Sequence, residues 1–245
     1  MIRLIVSDFD GTLMPYGAAR VSESVKSLLR DALHRGIAVA VSSGRTYLEL
    51  KALLPEFADA LYFVACDGAH YVKGGVSLYE KQIARSDLEI FQAQMGQGLA
   101  CVFHATEKNY VLGELPRGVQ FENAVKITRV AELREKVFKI TTFGQRVKLP
   151  AYCGLRMHWD GGPNAMAQYV NRFAHKGAAL SDLQIRLMCN KFDTAAIGDS
   201  GNDVAMMHNA KIAVAIGDKC KELTAVCNMQ TDCIEHALAA ILAAD

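Results

Sequence analysis

The apolar positions of the chain fall into two regular rhythms separated by an irregular middle. Residues 2–7 form a short, largely apolar run that reads as a buried strand. Residues 22–35 follow helical spacing, with Val25, Leu28, Leu29 and Leu33 on one face and Gly36 just past the end. Residues 37–41 and 61–65 are further short apolar runs, and 46–54 between them reads as a helix stopped by Pro55. This order of strand, helix, strand, helix, strand predicts parallel βαβ units. The rhythm returns near the C-terminus, with helices expected at 176–189, 202–209, 219–226 and 233–242 and strands at 194–197 and 212–216. Strands that are apolar throughout fit a parallel sheet covered on both faces.

The middle of the chain behaves differently. Short alternating runs at 100–104 and 110–112 are interrupted by charged stretches such as 131–137, which reads as helical. The expectation is an α/β chain: a three-layer, Rossmann-like parallel-sheet core at 1–81 and 164–245, with an inserted α+β cap at 82–163. A stretch at 164–173, just before Lys176, also reads as helix-like.

Composition narrows the classes. Of 245 residues, 51% are hydrophobic and 22% charged, which is ordinary for a globular chain and excludes disorder. A net charge of +1 gives no general attraction for nucleic acid or an anionic membrane, so an anionic ligand must be held by a local site. No run approaches the ~20 apolar residues of a membrane span, and the first residues lack the apolar run of a secretory signal. The seven cysteines are odd in number and contain no CxxC pair, which points to reduced thiols and a cytoplasmic setting. His70, His104, His175 and His208 show no metal spacing, and the Lys and Arg residues across 126–148 read as a solvated face.

Four short strings carry chemistry. Asp8-Phe9-Asp10-Gly11-Thr12-Leu13 follows the first strand, where a parallel sheet places its ligands. Two carboxylates two residues apart at a strand exit suit covalent catalysis, one attacking and one moving a proton. Ser42-Ser43-Gly44-Arg45 lies between a strand and a helix and offers a hydroxyl and backbone N–H groups to an anion, although Ser43 alone is equally a plain helix cap. Lys176-Gly177 opens a helix. Gly198-Asp199-Ser200-Gly201-Asn202-Asp203 crowds carboxylates and an amide into one turn after a strand, an oxygen-only set of the kind that suits Mg²⁺. No GxGxxG follows the first strand, which argues against a dinucleotide-binding fold.

Taken together and in this order, DFDGTL at 8–13, SGR at 43–45, KG at 176–177 and GDSGND at 198–203 resemble the haloacid dehalogenase superfamily, and more narrowly its Cof-type phosphatases with a class IIB cap. The resemblance covers both core halves and is weak over the middle. It implies that Asp8 is the nucleophile and a magnesium ligand. Asp10 would be the acid/base, its backbone carbonyl also binding the metal. Ser43 and Lys176 would hold the transferring phosphoryl oxygens, with Gly44 and Arg45 of the same loop in the phosphate site. Asp199 would ligate magnesium, Asp203 would complete the shell, Asn202 would orient the site and Thr12 would support the loop. The implied reaction is Mg²⁺-dependent hydrolysis of a small phosphorylated metabolite through an aspartyl-phosphate. A phosphomutase or a catalytically silent binding relative would share the scaffold.

Two features depart from the family pattern. Asp67-Gly68-Ala69 stands where Asn-Gly-Ala is frequent, which adds a carboxylate near a phosphate. The string His158-Trp159-Asp160-Gly161-Gly162 offers an aromatic face that could meet a sugar, or a packed turn. Substrate identity and oligomeric state are not written in the motifs.

Overall fold

The computed structural model describes residues 1–96, 98–159 and 165–244. The chain divides into two compact units, Met1–Tyr79 with His175–Asp245, and Glu80–Ala174.

The first unit begins with β1 (Leu4–Asp8), α1 (Glu23–His34), β2 (Ala38–Ser42), α2 (Tyr47–Leu53), β3 (Tyr62–Ala65), β4 (His70–Lys73) and β5 (Val76–Glu80). The second unit contains α3 (Arg85–Gln94), β6 (Cys101–Ala105), β7 (Asn109–Leu112), β8 (Ala124–Ile127), β9 (Val137–Phe143), β10 (Leu155–Trp159) and β11 (Met166–Asn171). The first unit is completed by α4 (Lys176–Arg186), β12 (Thr194–Gly198), α5 (Val204–Met207), β13 (Ile212–Ile216), α6 (Lys221–Thr224), β14 (Met229–Thr231) and α7 (Ile234–Ala243).

The large sheet has the order β14-β13-β12-β1-β2-β3-β4-β5. Pairing is parallel from β14 to β3 and antiparallel between β3 and β4. All residues of β1 and β12 are buried, as continuous apolar strands require when both faces are covered. Leu4 and Val6 pack with Leu180 and Leu183 of α4 and Met206 and Met207 of α5. The helices α1 and α7 contact each other, α1 touching β2 and α7 touching β12 and β13. The chain steps outward from β1 to β2 and β3, then returns to β12 on the other side of β1. That reversal opens a crevice at the carboxyl ends of β1 and β12, the place where open α/β sheets bind ligands.

The second unit is a six-stranded sheet of order β10-β11-β9-β6-β7-β8. Its core joins Leu88 and Phe91 of α3 to Cys101, Phe103, Ile140 and Tyr169 of the strands. The unit ends at Ala174 rather than 163, and the helix-like reading of 164–173, whose first residue lies outside the described residues, is corrected by β11, which pairs antiparallel with β9 and β10. Met, Ala and Gln there favour a helix in isolation, but ladder pairing on both sides overrides that preference. The charged stretch 131–137 is likewise not an α-helix: a 3₁₀ turn at Val130–Glu132 leads to β9, which starts at Val137. Nor are all the Lys and Arg residues across 126–148 solvated, since Lys139 is buried. Trp159 packs against the core of this unit, while Asp160, Gly161 and Gly162 lie outside the described residues. Among the described residues no helix is long and apolar enough to cross a membrane.

Candidate active site

Strand register brings the chemistry together. Asp8 pairs with Ser42 across β1 and β2, and Ser7 with Ile197 across β1 and β12. The strands therefore end level, and the loops that follow them, 9–14, 43–46 and 199–203, leave from one edge. Gly11 permits the turn after β1: its φ is +90°, and a Cβ there would stand 2.4 Å from Asp199 Oδ2.

The centre is a buried chain of charge. Lys176 Nζ donates to Asp8 Oδ1 at 2.5 Å and to Asp203 Oδ1 at 2.7 Å. Asp8, Lys176 and Asp203 are all buried. The lysine opens α4, whose cap is His175: its Nδ1 accepts the Ala178 amide at 3.0 Å. Asp203 Oδ2 accepts the amides of Asp199 and Ser200 at 3.2 and 3.1 Å and the Ser200 hydroxyl at 3.3 Å. Both of its oxygens are thus taken by protein donors, which makes Asp203 an anchor for the loop and for Lys176 as well as a neighbour of the site.

Asp8, Asp199 and Asp203 each bring a carboxylate oxygen within 4.8 Å of the others. Burial pushes the Asp8 carboxyl up to about 7; Lys176 opposes this, and Asp203 and Asp199 add to it. Burial would by itself lower Lys176, but the two carboxylates it touches outweigh that and hold it protonated. Burial also raises Asp199, against the hydrogen bond from Tyr16. Three carboxylates therefore face one ammonium, and Asp8 Oδ2 is buried with no hydrogen-bond partner among the described residues. An oxygen-only donor set, excess negative charge and an orphaned carboxylate oxygen fit a hard divalent cation. Asp8 Oδ2 is the unengaged oxygen of the cluster, and each Asp199 oxygen accepts a single donor, Thr12 or Tyr16, which leaves it a lone pair for a metal.

Asp10 sits apart from that cluster. Arg45 Nε donates to its Oδ1 and Oδ2 at 3.0 and 2.9 Å, and Arg45 Nη2 to Oδ1 at 2.7 Å. Ser43 Oγ donates to Asp10 Oδ2 at 3.2 Å and accepts the Arg45 amide at 3.1 Å. Arg45 and Ser43, expected at the phosphate, here hold the expected acid/base. Thr12 Oγ1 donates to Asp199 Oδ1 at 3.5 Å. Asn202 accepts the Ser200 hydroxyl at 2.7 Å and donates to Asp67 Oδ1 at 3.4 Å. Gly44 faces Asp67, whose Oδ1 lies 3.4 Å from the position of a Cβ.

Two residues escape the motif reading. Tyr16 donates to Asp199 Oδ2 at 3.1 Å, a contact made by a long-range fold of the loop that no local spacing announces. Ser42 Oγ is buried without a hydrogen-bond partner among the described residues. Its register position opposite Asp8 could have singled it out, because both residues close a buried strand.

The haloacid dehalogenase-like hydrolase family matches residues 5–242 of the chain. A 5-amino-6-(5-phospho-D-ribitylamino)uracil phosphatase of Bacillus subtilis is 24% identical over 222 residues, covering 89% of this chain and 84% of that protein. A phosphoglycolate phosphatase of Metallosphaera sedula is 26% identical over 230 residues, covering 94% and 91%. A solved haloacid dehalogenase-like hydrolase from Bacteroides thetaiotaomicron superposes with a TM-score of 0.84 at 19% identity over 98% of this chain and 100% of the other. A solved subclass IIB sugar phosphatase gives 0.78 at 21% identity over 98% of each.

Proposed function

The chain belongs to the haloacid dehalogenase-like hydrolases and is a phosphatase; from that premise we propose that it hydrolyses a small phosphomonoester through a phosphoaspartate on Asp8, with Mg²⁺ as its metal. The observation that carries this reading is the Asp8 carboxylate itself. One oxygen is fixed by Lys176, the other is buried with no hydrogen-bond partner among the described residues, and Asp199 belongs to the same carboxylate cluster.

In the first half-reaction an Asp8 oxygen forms a bond to phosphorus as the ester P–O bond breaks. Asp10 gives its proton to the departing alkoxide. In the second, Asp10 takes a proton from water as the water oxygen attacks phosphorus, which frees phosphate and regenerates the Asp8 carboxylate. Lys176 offsets negative charge on the phosphoryl oxygens and keeps Asp8 aligned. Asp199, with Asp8 and the backbone of Asp10, would hold the Mg²⁺, which supplies electrophilic charge against the repulsion between carboxylate and phosphate. Asp203 keeps Lys176 and the 199–203 loop in place. The substrate class is a small phosphorylated metabolite such as a sugar phosphate.

The test is a panel of phosphorylated metabolites assayed for released phosphate in wild type and Asp8→Asn, with acid quenching to trap labelled protein. Turnover by wild type, a trapped phosphoenzyme and loss of both in the variant are expected, by several orders of magnitude as for other nucleophile knockouts. A folded Asp8→Asn protein with wild-type turnover would overturn the covalent step.

A further inference from the structure

We propose that Asp67 is a specificity-determining residue, whose carboxylate accepts a hydroxyl of the leaving group and turns away leaving groups that are themselves anions. This rests on the phosphatase reading above and adds the substrate class to it.

The backbone around Asp67 is built for placement. Cys66, Asp67 and Gly68 take φ values of 52°, 55° and 87°, three consecutive left-handed residues. Two of them carry side chains, and such residues persist only where their surroundings hold them. The holding groups are specific. Cys66 N donates to Arg45 O at 2.8 Å and Asp67 N to Ser43 O at 3.0 Å. On the other side, a Cβ on Gly68 would stand 2.5 Å from the carbonyl oxygen of His175, so the turn is pressed against the residue before Lys176. Asp67 is thereby fixed between the loop that carries Ser43 and the start of α4.

Its side chain reaches across the site. Asp67 Oδ1 accepts from Asn202 Nδ2 at 3.4 Å, and its carboxylate faces Gly44. A carboxylate can accept about four hydrogen bonds. The long contact with Asn202 leaves most of that capacity to a ligand. The same Ser43 that anchors the Asp67 amide gives its hydroxyl to Asp10, the group proposed to protonate the leaving oxygen. Ser43 thus anchors both Asp67, through its amide, and Asp10, through its carboxylate. A fixed anion there repels a carboxylate on the leaving group and welcomes a hydroxyl donor. The class that results is a polyol or sugar phosphate with a hydroxyl near the ester, as against a phosphorylated hydroxy acid.

The experiment compares kcat/KM for pairs of equal carbon number, 2-hydroxyethyl phosphate against phosphoglycolate and a hexitol phosphate against 6-phosphogluconate, in wild type and Asp67→Asn. An ester that is bound and not turned over is read as a competitive inhibitor of para-nitrophenyl phosphate hydrolysis. Wild type is expected to prefer the hydroxylated member of each pair, and the preference should fall about tenfold in Asp67→Asn, the scale of one net hydrogen bond. A residue that only steadies Asn202 would lower both members by one common factor and leave the ratio unmoved. An unmoved ratio, or a wild-type preference for the acids, overturns the assignment while the phosphatase reading stands. Failure of wild type to release phosphate from any ester, para-nitrophenyl phosphate included, overturns both.

Discussion

Arg45 grips both carboxylate oxygens of Asp10, with guanidinium contacts of 2.7, 2.9 and 3.0 Å. The pair is about one-third exposed on each side chain, and Arg45 also lies 5.6 Å from the centroid of the buried Phe9 ring. A planar fork of this kind fixes the carboxylate in direction as well as place. The contact makes Arg45 a positioning residue for the proposed acid/base, a different task from the phosphate contact its motif suggests.

The difference is measurable. Arg45→Lys should lower kcat about ten- to a hundredfold for an alkyl phosphate, whose alkoxide needs a proton as it leaves, within the range that general acid catalysis supplies. Hydrolysis of para-nitrophenyl phosphate, whose leaving group needs little help, should fall far less. Steady-state kinetics on both esters decide it, and equal losses would return Arg45 to the phosphate.

The pH dependence of folding supplies a second expectation. In the metal-free protein the Asp8 carboxyl is raised from 3.8 to about 7, mainly by burial. An acid raised by folding binds more protons folded than unfolded. Its contribution to stability is complete below the unfolded value and is lost as pH rises through the folded one. The amide that replaces the carboxyl in Asp8→Asn cannot ionise and escapes that loss. The midpoint of thermal unfolding, measured in chelator, should therefore move in favour of Asp8→Asn relative to wild type as pH rises from 5 to 8. A gap independent of pH would show that Lys176 cancels the burial.

What could be read from the sequence, and what could not, follows from the range of the interactions. Asp8, Asp10 and Asp199 sit at or just beyond strand exits, and an apolar run followed by Asp and Gly marks such an exit locally. That Asp8 and Asp199 come together was legible for that reason, as was the α/β core. The partner of Asp10 was not, because Arg45 reaches it across 35 positions through a sheet pairing that local pattern cannot show. Tyr16 reaches Asp199 across 183 positions. The strand β11 was hidden for a related reason: its alternation of Ala167 and Tyr169 inward is short, and its composition favours a helix until β9 and β10 flank it.

The loop that carries Ser43 and Arg45 depends on the start of α2. Thr46 caps that helix: its hydroxyl accepts the Glu49 amide at 3.3 Å, and Glu49 Oε2 accepts the Thr46 amide at 2.7 Å. This reciprocal box satisfies two amides that the helix cannot. Thr46→Ala should cost about 1 kcal/mol, read by urea denaturation with an unchanged slope. A loss below about 0.3 kcal/mol, less than a peptide helix cap contributes, would show that buried packing holds the turn without the cap.

The proposed metal would make the sharpest demand on the site. Asp8, Asp199 and Asp203 gather their oxygens within 4.8 Å, and Lys176 is the cation in contact with two of them. Like charges so close repel, and burial of Asp8 strengthens that repulsion by excluding water. A divalent cation removes the repulsion in the folded state and finds no such cluster in the unfolded chain. Its binding must therefore raise stability with concentration, by about 2.7 kcal/mol at a hundred times its dissociation constant. Two readouts should move together in wild type: Mg²⁺ raises the unfolding midpoint, and chelation abolishes turnover that Mg²⁺ restores. Asp199→Asn keeps the shape but removes a coordinating charge, so the same Mg²⁺ series should shift its midpoint much less, and turnover should require far more metal. Asp203→Asn is the contrasting case. Its oxygens already serve Lys176 and the loop amides, so that variant should lose stability even without metal. Full turnover in chelator, or an equal Mg²⁺ shift in wild type and Asp199→Asn, would remove the metal from this site.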